Sequence, residues 1–277
     1  MSDNLESDVA RHYAREGLLD RILAALTSAG VDINAMTIDD LAPADEFHTA
    51  GKATTEKALA MTPLARGMHV LDAGGGIGGA ARRIASRYGC RTTSIDLTPE
   101  YTAVARALTE RIGLSSLCAF ETASVLDMPF PDRTFDAAVT MHVAMNIENR
   151  PRFYGELARV LKSGAPLCVF DVMKGPAPGM DYPVPWAETE ATSILKSPDE
   201  TRALLEAAGF HVAAQESLKE YAIDFFRMMN EKLAKDGAPA VGLHLLMGES
   251  AGVKFANYAA ALNAGRIEPV IMIARSA

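Results

Sequence analysis

Apolar positions in this chain change their period near residue 65. Upstream, Val9, Tyr13, Leu18, Leu19, Ile22, Leu23 and Leu26 recur near the helical repeat, which predicts one amphipathic helix over 5–29 that stops at Gly30. Thr37-Ile-Asp-Asp40 predicts a short capped turn, 45–51 a loop, and 53–61 a helix ending before Pro63. Downstream, short apolar runs alternate with helical patterns. Strands are expected over 69–73, 91–96, 119–123, 135–141 and 166–172. Helices are expected over 79–88, from Thr98-Pro99 to Gly113, over 151–162, and from Ser197-Pro198 to Gly209. Phe210 to Leu218 and Ile267 to Arg275 read as two further strands, and 221–265 as helical and rich in Met and Leu.

Strands separated by helices of about ten to fifteen residues mean βαβ units. The expected fold class is α/β, a doubly wound, seven-stranded, mostly parallel sheet. Residues 1–64 are expected to form a helical N-terminal cover or lid. Residues 65–277 are expected to form the main domain, with 221–265 as a helical insertion over the active site. No internal repeat and no low-complexity tract interrupts this order.

Composition narrows the partners. With 277 residues and 49% of them hydrophobic, the chain can bury a sizeable core. The net charge is −8 and no run is rich in Lys or Arg, which argues against nucleic acid, since tight binding there needs several phosphate contacts. Cys90, Cys118 and Cys168 have no CxxC spacing and read as buried free thiols in a reducing compartment. The N-terminus has no signal-peptide pattern, and no apolar run approaches the ~18 residues of a membrane span. The expectation is a cytoplasmic protein with no membrane partner; a homodimer is left open.

The chemistry is concentrated in Val70-Leu71-Asp72-Ala73-Gly74-Gly75-Gly76-Ile77-Gly78-Gly79, which joins the first strand to the first helix after it. Glycines there let the backbone turn and approach a ligand at the carboxyl end of the strands. Gly74-x-Gly76-x-x-Gly79 fits a dinucleotide loop, and Asp72-x-Gly74-x-Gly76-x-Gly78 fits a loop for S-adenosylmethionine. Asp72 tilts the choice, because a carboxylate suits a cationic amino group and sulfonium and is awkward beside a pyrophosphate. Asp96 ends the second strand, where a carboxylate accepts hydrogen bonds from ribose hydroxyls of either cofactor.

Six segments extend the pattern in order: FHTAGKATTEKALA, VLDAGGGIGGAARRIASRYGC, SIDLTPE, ASVLDMPFPDRTFDAAVTMHVAMNI, ELARVLKSGAPLCVFDV and SPDETRALLEAAGF. Together, over about residues 45–218, they resemble the class I S-adenosylmethionine-dependent methyltransferases. Within that class the chain is similar to the ubiquinone/menaquinone-biosynthesis and sarcosine/dimethylglycine methyltransferase branches. The resemblance implies that Asp72, Gly74 and Gly76 line the methionine end of the cofactor. It implies that Asp96 takes the ribose, Leu97 packs on the adenine, and Val125 meets the adenine edge through its backbone. Ser124 stands where many relatives place an Asp that bonds the adenine amine. His142 falls near the sulfonium, Phe47, His48 and Gly51 lie near the cofactor, and Tyr13 resembles a lid tyrosine.

Nothing resembles the Asn-Pro-Pro-aromatic motif of amino methyltransferases acting on nucleobases; the corresponding stretch is Thr140-Met-His-Val-Ala-Met-Asn146. The implied reaction is in-line methyl transfer to a small-molecule acceptor, an amine or amino-acid derivative or a phenol- or quinol-like ring. His142 is the candidate base or substrate orienter, with His48 beside it. No His/Cys/Asp cluster has metal-ligand spacing. Trp186, in Pro183-Val-Pro-Trp186, is a candidate wall for the acceptor. Two other readings stay open: a nicotinamide-dependent oxidoreductase on the same glycine loop, and a non-catalytic nucleoside-binding module.

Overall fold

The computed structural model describes residues 2–13 and 17–277. Its strands are β1 (His69–Ala73), β2 (Arg91–Asp96), β3 (Cys118–Thr122), β4 (Ala137–Met141), β5 (Pro166–Lys174), β6 (Phe210–Ser217) and β7 (Ile267–Ser276). They form one sheet in the order β3-β2-β1-β4-β5-β7-β6. β1 to β5 pair in parallel, and β7 runs antiparallel between β5 and β6. From β1 the chain steps outward to β3 and then returns to the other side of β1 as β4. The carboxyl ends of β1 and β4 therefore flank a topological switch point, where open α/β sheets bind ligands.

The helices are α1 (Ser2–Tyr13), α2 (Leu18–Ser28), α3 (Ile38–Asp45), α4 (Lys52–Met61), α5 (Gly79–Tyr88), α6 (Pro99–Arg111), α7 (Arg150–Val160), α8 (Pro198–Ala207), α9 (Lys219–Asp236), α10 (His244–Met247) and α11 (Ala251–Asn263). Alternation along the strands decides how they pack. Leu71 and Ala73 of β1 enter one core with Phe153 and Leu157 of α7 and Leu205 of α8. Val70 faces the other way, toward Leu59 of α4 and Ile84 of α5. A sheet buried on both faces needs apolar residues at successive positions, which is why β4 reads Ala-Ala-Val-Thr-Met with every residue buried.

Several expected boundaries move. The single helix over 5–29 is two helices, because Gly17 sits at φ +69° before α2, a left-handed turn that ends one amphipathic face and starts another. Residues 14–16 of that expected helix lie outside the described residues. The capped turn at Thr37 opens a full helix, α3, through a reciprocal capping box with Asp40. Strand β5 continues past the expected end at 172 to Lys174, because β7 pairs with it along its whole length. Phe135 makes only a bridge to Leu161, and β4 begins at Ala137. In the insertion, α9 begins at Lys219, and the chain leaves the helical state at Gly237.

Two ion pairs fix the segment before α4 against the sheet. Arg82 Nη2 lies 2.7 Å from Asp45 Oδ2, with both side chains buried, and also donates to Ile77 O at 2.8 Å. Arg83 Nε donates to Glu46 Oε1 at 2.7 Å. Severing such a buried pair leaves a charge without a partner, so one arrangement of α3 on α5 is strongly preferred. Residues 45–51 are thereby held beside the glycine loop.

Candidate active site

A cavity of about 1290 Å³, counting its open mouth, lies over the carboxyl ends of β1, β2 and β4. Its floor is the glycine loop. Gly76 has φ +55°, and a Cβ there would meet nothing within 4 Å, so this glycine faces open space. Gly75 is constrained differently: a Cβ would lie 2.2 Å from Asp72 Oδ2 and 2.0 Å from Ser94 Oγ. The fingerprint leaves position 75 unspecified, yet here the buried carboxylate beneath the loop demands a glycine.

Asp96 lines the cavity and organises its floor. Its Oδ2 accepts Gly76 N–H at 2.9 Å, and its Oδ1 accepts Thr98 N–H at 2.9 Å. One carboxylate thus ties the glycine loop to the start of α6. Burial raises the Asp96 pKa above the ordinary carboxylate value, opposed by those two amide bonds.

Asp72 departs from the expected placement. Its carboxylate lies beneath Gly75, accepts a hydrogen bond from Ser94 Oγ at 3.0 Å, and does not form part of the described cavity wall. Burial pushes its pKa up to about 6, against the lowering effect of the Ser94 bond. Asp171 behaves alike. It accepts Val143 N–H at 2.8 Å, and burial raises it to about 6. Two buried carboxylates under the cavity floor make it attractive to a cation without touching it.

The other expected residues divide. Gly74, Leu97, Val125, Tyr13, Phe47, His48 and His142 line the cavity. Gly78 instead caps α5 with φ +89°, and a Cβ there would lie 2.7 Å from both Arg82 Nη1 and the Phe120 ring. Ser124 is also off the wall; its Oγ accepts Leu126 N–H at 3.0 Å and donates to Glu6. Neither residue lines the cavity.

His142 follows β4 with φ +57°, unusual for a residue with a side chain, and its N–H donates to Phe170 O at 2.7 Å. Its Nε2 accepts Thr49 N–H at 3.3 Å, which places the ring proton on Nδ1. Thr49 Oγ1 lies 3.3 Å from the same Nε2 and 2.6 Å from Tyr258 Oη. Burial, then the nearby His48, holds the His142 pKa well below its ordinary value, so the ring is neutral at pH 7. His48 Nδ1 lies 2.9 Å from Thr55 Oγ1, and its ring centroid is 5.5 Å from that of His142.

Beyond His142 the wall changes character. Trp186, Phe226, Phe255 and Tyr258 form an apolar chamber roofed by the helical insertion and the loop after β5. The expected wall residue Trp186 is buried, with Nε1 donating to Ser193 Oγ at 2.9 Å. Asn146 is a polar group at the border, accepting from Tyr13 Oη at 3.2 Å. Thr49, Asn146, Tyr258, Phe226 and Phe255 were not singled out from sequence. They sit in ordinary helical or loop patterns, and only Thr49 and Asn146 lie within the quoted segments.

The carboxyl-end cavity, positive-φ glycine and Asp96 coincide with a match to known proteins. Residues 71–169 match the family described as "Methyltransferase domain". Those residues are a methyltransferase domain, and the chain is similar to class I S-adenosylmethionine-dependent methyltransferases. Ajmaline N-methyltransferase of Rauvolfia serpentina is 34% identical over 101 residues, covering 36% of this chain and 35% of that protein. The chain aligns with about a third of the length of the first curated relatives it matches. Among solved structures, the 4+2 cyclase SpnF is 27% identical with a TM-score of 0.65, covering 81% of this chain and 80% of that one. Geranyl diphosphate C-methyltransferase from Streptomyces coelicolor A3(2) superposes with a TM-score of 0.73 over 99% of this chain and 98% of that one, at 16% identity. That likeness concerns the fold, which is the Rossmann-like methyltransferase fold.

The methyltransferase domain's own residues fit S-adenosylmethionine. Asp96, Leu97, Val125 and Gly76, which the resemblance assigns to the cofactor, all line the one cavity. The desolvated Asp72 and Asp171 carboxylates favour a ligand carrying positive charge. A pyrophosphate, as the nicotinamide alternative requires, would meet the same acids as like charges. No helix among the described residues is long and apolar enough to cross a membrane.

Proposed function

We propose that this chain methylates a small, uncharged, largely apolar acceptor using S-adenosylmethionine. The observation that carries the acceptor class is the second chamber of the cavity. Its wall is aromatic and aliphatic, and among the described lining residues there is no Lys or Arg. A phosphate or carboxylate entering it would lose hydration without gaining a counter-charge. The same lack of basic residues argues against nucleic acid as a substrate. Three unpaired, buried thiols agree with a reducing, cytoplasmic setting.

The bound donor supplies an activated methyl group, whose transfer leaves the S–C bonding electrons on sulfur and forms a bond to the acceptor. The chain has to align the acceptor, exclude water and receive a proton when the acceptor carries one. Alignment of this kind is worth roughly 7–11 kcal/mol. Trp186, Phe226 and Phe255 hold the body of the acceptor, and Thr49, Tyr258 and His142 form the polar cluster that faces its reacting group. Neutral His142 takes the acceptor's proton, either directly or by way of the Thr49 hydroxyl.

The test is transfer of labelled methyl groups across two acceptor panels: neutral phenols, alcohols and aromatic amines, and phosphorylated or carboxylated counterparts. Label should appear only in the neutral panel. Preferred methylation of the anionic panel would overturn the acceptor assignment. SpnF, named for a cyclisation, shows that likeness of fold does not establish transfer chemistry. Binding of S-adenosylhomocysteine with no label transferred to any acceptor would therefore favour a non-transferring nucleoside-binding protein.

A further inference from the structure

An adenosyl ligand held by its ribose at Asp96 places its purine between Leu97 and the turn after β3, where Ala123 and Val125 form the wall. The adenine edge presents an amine donor beside a ring-nitrogen acceptor, so a protein that reads the base needs an acceptor of its own there. Asp96 is committed: it receives two backbone N–H groups, and the Thr98 hydroxyl is turned to it. Ser124, the residue expected to meet the amine, is off the wall, and its hydroxyl already accepts from Leu126 and donates to Glu6. Glu6 itself is on the wall. It comes from α1, 118 positions away in sequence, and Ser124 engages only one of its two oxygens.

We propose that Glu6 is the residue that recognises the adenine amine, with Ser124 serving to orient its carboxylate. The proposal rests on the cofactor reading above and is independent of the acceptor. It gives α1 a double task. The helix that reads the base also carries Tyr13, which donates to Asn146 at the border of the apolar chamber, and His12, whose Nε2 lies 3.3 Å from Pro185 O. Nucleoside recognition and closure of the chamber then belong to one element. The donor that fits Glu6 draws the cover over the acceptor.

Calorimetry with S-adenosylhomocysteine and S-inosylhomocysteine tests this without turnover. The inosyl compound replaces the amine with a carbonyl oxygen, which a carboxylate repels. Wild-type protein should prefer the adenosyl compound at least about tenfold, the size expected of a charge-assisted hydrogen bond. Glu6→Ala should bring the two affinities within about twofold. Glu6→Gln, which can donate as well as accept, should bind the inosyl compound more tightly than wild type does. A residue that merely braces the lid would weaken both ligands alike and preserve their ratio. An unchanged ratio in Glu6→Ala overturns the proposal alone. Wild-type protein that binds neither compound overturns the cofactor reading and the proposal together.

Discussion

The two halves of the cavity are built by different physics. Apart from Glu6, the donor half is assembled from strand ends and backbone groups within 72–143, where Asp96 and the glycine loop are joined by hydrogen bonds to main-chain N–H groups. The acceptor half is assembled from side chains spread from Thr49 to Tyr258, held by packing around Trp186, Phe226 and Tyr258. Main-chain geometry tolerates little change, whereas an apolar chamber can be relined residue by residue. The family match spans 71–169, which contains the donor half and leaves out most of the acceptor half.

If the halves are separable, damage to one should spare the other. The largest expected effect is on stability. Trp186→Ala removes a large buried side chain and should cost roughly 3–5 kcal/mol, read as a lower midpoint in chemical denaturation. At low temperature its affinity for S-adenosylhomocysteine should stay within about threefold of wild type; a collapse of both would show the halves to be one cooperative unit. Asp96→Ala attacks the donor half. Binding of S-adenosylhomocysteine should weaken about 100-fold, while the denaturation midpoint falls less than in Trp186→Ala.

His142 stands on the boundary, so its variant sharpens the division. Asn tolerates the left-handed backbone found there. His142→Asn should lower kcat on the order of 100-fold and leave donor affinity within about threefold. Loss of affinity with kcat unchanged would make His142 a donor ligand and not a base.

The smallest effect is electrostatic. Burial raises Asp72 and Asp171 to about 6, so the folded state keeps protons that the unfolded chain releases near ordinary carboxylate values. The ligand-free protein should therefore lose stability as pH rises from about 4.5 to 6.5, on the order of 2 kcal/mol per group. Glu46 acts oppositely and in a lower window. Burial would raise its pKa, but bonds from His48 and Arg83 bring it to about 2, so its contribution is lost only as pH falls below the ordinary carboxylate range. Affinity for the cationic donor should rise over the same 4.5 to 6.5 interval, as the two carboxylates ionise. Asp72→Asn should flatten both curves, in thermal melts and in calorimetry; an unchanged pH slope would remove Asp72 from the account.

Local pattern made much of the fold legible. The strand over 69–73, the capping pairs at Thr37 and Ser197, and the Gly17 left-handed turn all obey short-range rules, although the turn was hidden inside an apparently continuous apolar stripe. Period and punctuation depend on neighbours a few residues apart, and a single chain displays those directly. The placements of Asp72 and Ser124 depended on more. A motif names a position but not the direction of its side chain, and here Ser94 and Glu6 claimed those two groups.

What the sequence determined by itself was the alternation of strands and helices, the glycine-rich turn and the acid that follows one strand later, because each is an agreement between adjacent residues and backbone geometry. What only the tertiary structure decided was which distant side chains meet: Glu6 with Ser124, Thr49 with Tyr258 and His142, Trp186 with Phe226. Those meetings are set by how helices pack on the sheet, a long-range balance of burial and polar satisfaction that no local spacing records.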